Sequence, residues 1–137
     1  MVTITARYEG ELRCTAVHGP SGAAITTDAP LDNHGKGEAF SPTDLLAAAL
    51  PTCMMTIMGI VAARDGLDLR GMTATTSKEM IATPVRRIAR LVTRIEVPLA
   101  ADHPRRQALE QAAHTCPVHK SLGAEVDCPI EFVWIGI

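Results

Sequence analysis

The chain has 137 residues, 47% of them hydrophobic and 20% charged, with a formal net charge of −2. That length fits one domain with a core of its own, and the composition is that of a globular chain rather than a disordered one. One Trp, one Tyr, two Phe and a dispersed basic set, adjacent only at Arg86-Arg87 and Arg105-Arg106, offer neither a stacking platform nor a basic footprint, so nucleic acid is excluded as a partner.

The opening segment MVTITARYEGELRC alternates and has no positive-then-apolar signal pattern. A reducing, cytoplasmic setting is therefore expected, with the cysteines at 14, 53, 116 and 128 as thiols. No C-x-x-C pair is present, which removes the zinc-ribbon and thioredoxin-type motifs. Val2 to Tyr8 and Glu11 to Val17 read as a hairpin turning at Glu9-Gly10. On the second strand Leu12, Cys14 and Ala16 share one face, which gives Cys14 a structural explanation. Ala23 to Thr27 is a third strand, followed by the polar loop DAPLDNHGKGEAF.

A helix then starts at Ser41 as N-cap, with Pro42 in its first position and Asp44 completing an S-x-x-D box. It should run to Arg64 and end at Asp65-Gly66, with Pro51 breaking one backbone hydrogen bond inside it. Leu45 to Ala63 is about long enough to span a bilayer. Pro51, several threonines and the lack of any similar segment favour a core helix and no membrane partner. Such a helix needs cover on several sides, from a sheet and from a partner subunit.

Leu69 to Met80 and Arg86 to Val97 follow as paired strands, with Ala89, Leu91, Thr93, Ile95 and Val97 on one face of the second. ADHPRRQALEQAAHT is an amphipathic helix with Asp102 as N-cap and Pro104 in its first turn. Glu125 to Ile135 closes the order as a strand whose apolar face holds Val126, Cys128, Ile130, Phe132 and Trp134, so Cys128 belongs to the core. The element order argues for one α+β domain over residues 1–137, an antiparallel sheet on a hydrophobic helix.

Two cysteines remain. Cys116 precedes Pro117, and if that proline opens a short helix the thiol sits at its N-cap, where free backbone N–H groups favour a thiolate, with His119 and Lys120 adding positive charge. A buried turn cysteine beside solvent-facing His and Lys fits the same residues. Cys53 lies deep in the apolar helix, where packing alone accounts for a free cysteine.

The segments SPTDLLAAALPTCMMTIMGI and AAHTCPVHKSL resemble the two cysteine motifs of the OsmC/Ohr family (osmotically inducible protein C and organic hydroperoxide resistance protein). The resemblance covers most of the chain. It implies an intertwined homodimer with a curved antiparallel sheet wrapped on a central hydrophobic helix. It also implies a thiol peroxidase that reduces small hydrophobic organic hydroperoxides in oxidative-stress defence. On that analogy Cys53 is the peroxidatic thiol and Cys116 resolves it as a disulfide. There is no bound cofactor or metal, and an external dithiol or lipoyl-type reductant restores the pair. An apolar site raises a thiol's pKa, so Cys53 needs a cationic partner. In the peroxidase branches an arginine held by a glutamate serves. This chain has Thr43 where that glutamate would stand, which leaves Glu38 as the substitute and Arg13 or Arg7 as the arginine. His119 is a second departure from those branches.

Three other readings stay open. Cys116 and His119 have C-x-x-H spacing for a metal, with Cys53 as third ligand and His114 or His34 as a fourth. A Cys–His pair on an acyl substrate is the second, with His119 as base. The third is a non-enzymatic stress protein that binds a hydrophobic ligand.

Overall fold

A computed structural model describes residues 1–136. They fall into two compact units, Met1–Leu46 and the chain from Ala47 onward.

The first unit is an antiparallel sheet of β1 (Ile4–Gly10), β2 (Arg13–His18) and β3 (Ala24–Asp28), in that order. Its hairpin turns later than the sequence suggests. The register is irregular between Tyr8 and Gly10, which carries β1 two residues further and moves the turn to Glu11-Leu12. Both have positive φ, 54° and 64°, as a two-residue turn matched to the strands' twist demands. Leu12 therefore leaves the Cys14 face, lies exposed, and donates its N–H to the Tyr8 hydroxyl at 3.2 Å. β3 is likewise one residue further on than expected, so that Asp28 ends it directly opposite Arg13.

The helix α1 (Pro42–Arg64) begins and ends as the sequence predicts. Ser41 donates its N–H to Asp44 Oδ2 at 2.9 Å, and Asp44 returns its own to Ser41 Oγ at 3.1 Å, a reciprocal capping box. At the other end Leu67 N–H reaches Ala62 O at 3.0 Å and Gly66 N–H reaches Ala63 O at 3.1 Å. Gly66 has φ 69°, so the two bonds complete a glycine-closed Schellman end. Ala47, Leu50, Pro51, Met54, Met58 and Ala62 are buried along one stripe of this helix. Leu46 and Ile60 are exposed, and by length and composition alone the helix could cross a membrane.

The second unit holds the core. β4 (Thr73–Ile81), β5 (Arg87–Val97) and β6 (Ile130–Trp134) form a sheet in that order. Leu91, Thr93, Ile95 and Val97 alternate inward along β5, while Arg90 and Arg94 face out. The β4–β5 pair is antiparallel, but β6 runs parallel to β5, which corrects the expectation of a single antiparallel sheet. A parallel neighbour needs a crossover. Here it is supplied by α2 (Arg106–His114) and α3 (Pro117–Ser121).

Three boundaries differ in this unit. β4 starts at Thr73 because Leu69–Met72 makes a turn, with Met72 N–H on Leu69 O and Gly71 at φ 92°. α2 starts at Arg106, and Asp102 does not cap it; the preceding turn is held instead by His103 Nδ1, which accepts Arg105 N–H at 3.1 Å. β6 starts at Ile130, after Pro129, which has no N–H for the ladder. Only an isolated bridge from Asp127 to Arg90 precedes it.

Candidate active site

Cys53 stands on α1, two residues after Pro51, half-buried and packed against the core of the second unit. Cys116 is fully buried in that core, in the N-cap position of α3. Its Sγ accepts the His119 N–H at 3.3 Å, the arrangement expected if Pro117 opens a short helix. Burial pushes the Cys116 thiol up, the His119 N–H opposes that, and the neighbouring Cys53 thiol pushes it up further. Both are free thiols. The fold thus brings together two side chains from helices far apart in sequence, with one backbone donor aimed at the deeper sulfur.

The other cysteines stand apart. Cys14 lies on β2 opposite Tyr8 and Thr27. Cys128 is half-buried; its thiol faces Val126 O at 3.7 Å, and burial, with Asp127 beside it, pushes its pKa up. It lines a cavity of about 400 Å³ with His119, Leu122, Gly123, Ala124, Glu125, Val126 and Asp127. His119 places its backbone at Cys116, while its ring Nδ1 is buried without a hydrogen-bond partner. No group of three His, Cys, Asp or Glu side chains able to hold a metal occurs among the described residues, so the Cys116–His119–Cys53 ligand set is not assembled.

In the first unit the expected arginine and glutamate are partners. Arg13 Nη2 is hydrogen-bonded to the Glu38 carboxylate and lies 3.5 Å from Asp28 Oδ2. Glu38 first, then Asp28, hold the Arg13 guanidinium firmly protonated. Asp28 accepts the Glu38 N–H at 3.0 Å, which outweighs the cost of burial and, with Arg13, holds its carboxyl below the usual range. Arg7, the other candidate, is exposed on β1 and has no carboxylate partner among the described residues. Thr43 places its hydroxyl 3.2 Å from Ser41 Oγ at the helix start. Asp28 is the residue that sequence reasoning missed. The signal was its place across from Arg13, which depends on a strand register that composition does not fix.

A model of the OsmC-like protein family matches residues 35–131. The chain belongs to the OsmC-like family. A crystal structure from Psychrobacter arcticus 273-4, provisionally assigned to osmotic stress induction and the detoxification response, is 42% identical, with a TM-score of 0.90 over 96% of each chain. An organic hydroperoxide resistance protein of Legionella pneumophila is 18% identical, with a TM-score of 0.78 over 97% of this chain and 96% of that one. That of Bacillus subtilis is 19% identical, with a TM-score of 0.68 over 96% and 97%. These two share the α+β fold. No curated protein matches.

Proposed function

We propose that this OsmC-like protein is a thiol-dependent peroxidase that reduces organic hydroperoxides through Cys53 and Cys116. The observation that carries the reading is that the two free thiols, from α1 and from the N-cap of α3, pack in one core. The names of the hydroperoxide resistance proteins that share the fold support it.

The Cys53 thiolate attacks the terminal peroxide oxygen. The O–O bond breaks, sulfur keeps the hydroxyl as a sulfenic acid, and the alkoxide leaves and takes up a proton to become an alcohol. The Cys116 sulfur then attacks the sulfenic sulfur, forming the disulfide and releasing water. Two electrons from an external dithiol reopen it by exchange. The His119 N–H on Cys116 Sγ favours the thiolate that this second step needs. Arg13, paired with Glu38, is the cation this reading assigns to the first thiolate, as the family resemblance implies. The apolar side chains around Cys53 suit a hydrophobic hydroperoxide. The same reading takes the chain as one domain in a cytoplasmic homodimer, with the exposed apolar residues of α1 suited to a covering partner.

The test is peptide mapping by mass spectrometry without reduction, after one equivalent of an organic hydroperoxide or of hydrogen peroxide. A rapid Cys53–Cys116 disulfide, faster with the organic peroxide and reversed by a dithiol, is the expected outcome. Two thiols that stay free, or oxidise without pairing, would leave a ligand-binding stress protein as the better reading.

A further inference from the structure

Two carboxylates face the Arg13 guanidinium, and they differ in what decides how firmly each can hold it. The Glu38 side chain is 60% exposed, and that of Asp28 is 1% exposed. An exposed ion pair competes with water and salt and fixes little. A buried carboxylate has no solvent to return to, and losing its partner is costly. Asp28 is also set by more than its side chain. The β2–β3 register places it across from Arg13, and its own N–H donates to Phe40 O at 3.1 Å. Its Oδ2 takes the Glu38 N–H at 3.0 Å, so it fixes the backbone that carries the second carboxylate. Arg13 Nε and Asp28 Oδ1 are both buried without a hydrogen-bond partner. The two atoms that a second, parallel contact requires are thus present on the same pair.

We propose that Asp28 is the positioning residue for Arg13: it holds the guanidinium directly and places Glu38 through its backbone N–H. Glu38 then contributes to the pair only while Asp28 is intact. The positioning is independent of the peroxidase reading; its consequence for Cys53 rests on that reading.

The experiment combines 15N relaxation at Arg13 Nε–H with the rate of Cys53 oxidation by an organic hydroperoxide. It uses the full chain as wild type, Asp28→Asn, Glu38→Gln, Arg13→Ala and the Arg13→Ala/Asp28→Asn double variant. Arg13 should stay ordered in wild type and Glu38→Gln, with an order parameter near 0.8, and fall below about 0.6 in Asp28→Asn. Oxidation of Cys53 should slow by about tenfold or more in Asp28→Asn, and by at least about threefold less in Glu38→Gln. In the Arg13→Ala background the further Asp28 change should cost under about twofold, because its route to Cys53 is already gone. A structural fault would persist there.

An Arg13 that loosens in Glu38→Gln as much as in Asp28→Asn overturns the proposal, and so does an Asp28 penalty that survives without Arg13. Glu38 is a surface side chain, so if Asp28→Asn does not fold, an Arg13 order parameter below about 0.6 in Glu38→Gln by itself overturns the proposal. An Arg13→Ala rate equal to wild type would instead remove the cation from the proposed function, and the relaxation data would still judge Asp28.

Discussion

Cys116 and Cys128 are both pushed up by burial, yet only one of them stands in a setting suited to thiol chemistry. Cys116 caps α3, receives a backbone N–H from His119, and shares its core with the Cys53 thiol. Cys128 faces a carbonyl, which offers a thiolate nothing, and the nearby Asp127 opposes its ionisation. Depth alone therefore does not distinguish a thiol placed for chemistry from a packed one. A donor on the sulfur and a second thiol packed in the same core do. The fold creates that difference with a local device, the proline-opened turn at 116–119, and a global one, the placement of α1 against it.

The largest expected effect lies on the reactive side of this comparison. Cys53→Ser should reduce hydroperoxide consumption to the buffer background, measured by loss of peroxide in the presence of a dithiol. Cys116→Ser should separate the two steps. It should release about one equivalent of alcohol per subunit and then stall as a sulfenic acid, which a dimedone adduct on Cys53 would report. A Cys116→Ser protein that turns over at the wild-type rate would remove the resolving role and erase the contrast with Cys128.

Alkaline stability gives a subtler comparison. Cys116 and Cys128 both bind their protons more tightly folded than unfolded. Their contribution is fully present below the ordinary thiol pKa of about 8.5 and is lost as pH rises through the raised values. Chemical denaturation of the reduced protein from pH 7 to 10 should show stability falling above that point. Cys116→Ser and Cys128→Ser should each flatten the fall. A curve unchanged by both would mean that neither thiol is as desolvated as its burial indicates.

The smallest effect belongs to the packed thiol. Cys128→Ser should leave the hydroperoxide rate within about twofold, as expected for a site outside the chemistry, and change stability by about 1 kcal/mol. A larger rate loss would bring the cavity beside His119 into the mechanism.

Much of this architecture is legible in the chain. Ser41, Pro42, Asp44 and Gly66 mark both ends of α1, since caps and closing glycines act within a few residues of the backbone groups they satisfy. The apolar alternation of β5 is equally local. Pro117 places Cys116 at a helix start by the same short-range logic. Where the turn chemistry was ambiguous, sequence reasoning slipped. Glu9-Gly10 looks like a turn, but an irregular register moves it to Glu11-Leu12. Asp102 looks like a cap, but α2 starts at Arg106 with no side-chain cap, and His103 Nδ1 only holds the turn before it.

Tertiary structure alone decided the pairings. The parallel seating of β6 on β5 depends on the whole crossover from Leu99 to Pro129, and no local pattern encodes its direction. The ion pair of Arg13 with Asp28 follows from which rung of β2 meets which rung of β3. A shift of one residue would turn Asp28 to the other face. The packing of Cys53 and Cys116 in one core depends on two helices separated by the β4–β5 hairpin and α2. Sequence set the segments, and both ends of α1, because those rest on contacts between near neighbours. The encounters that give the site its chemistry rest on distant ones, which exist only once the core has closed.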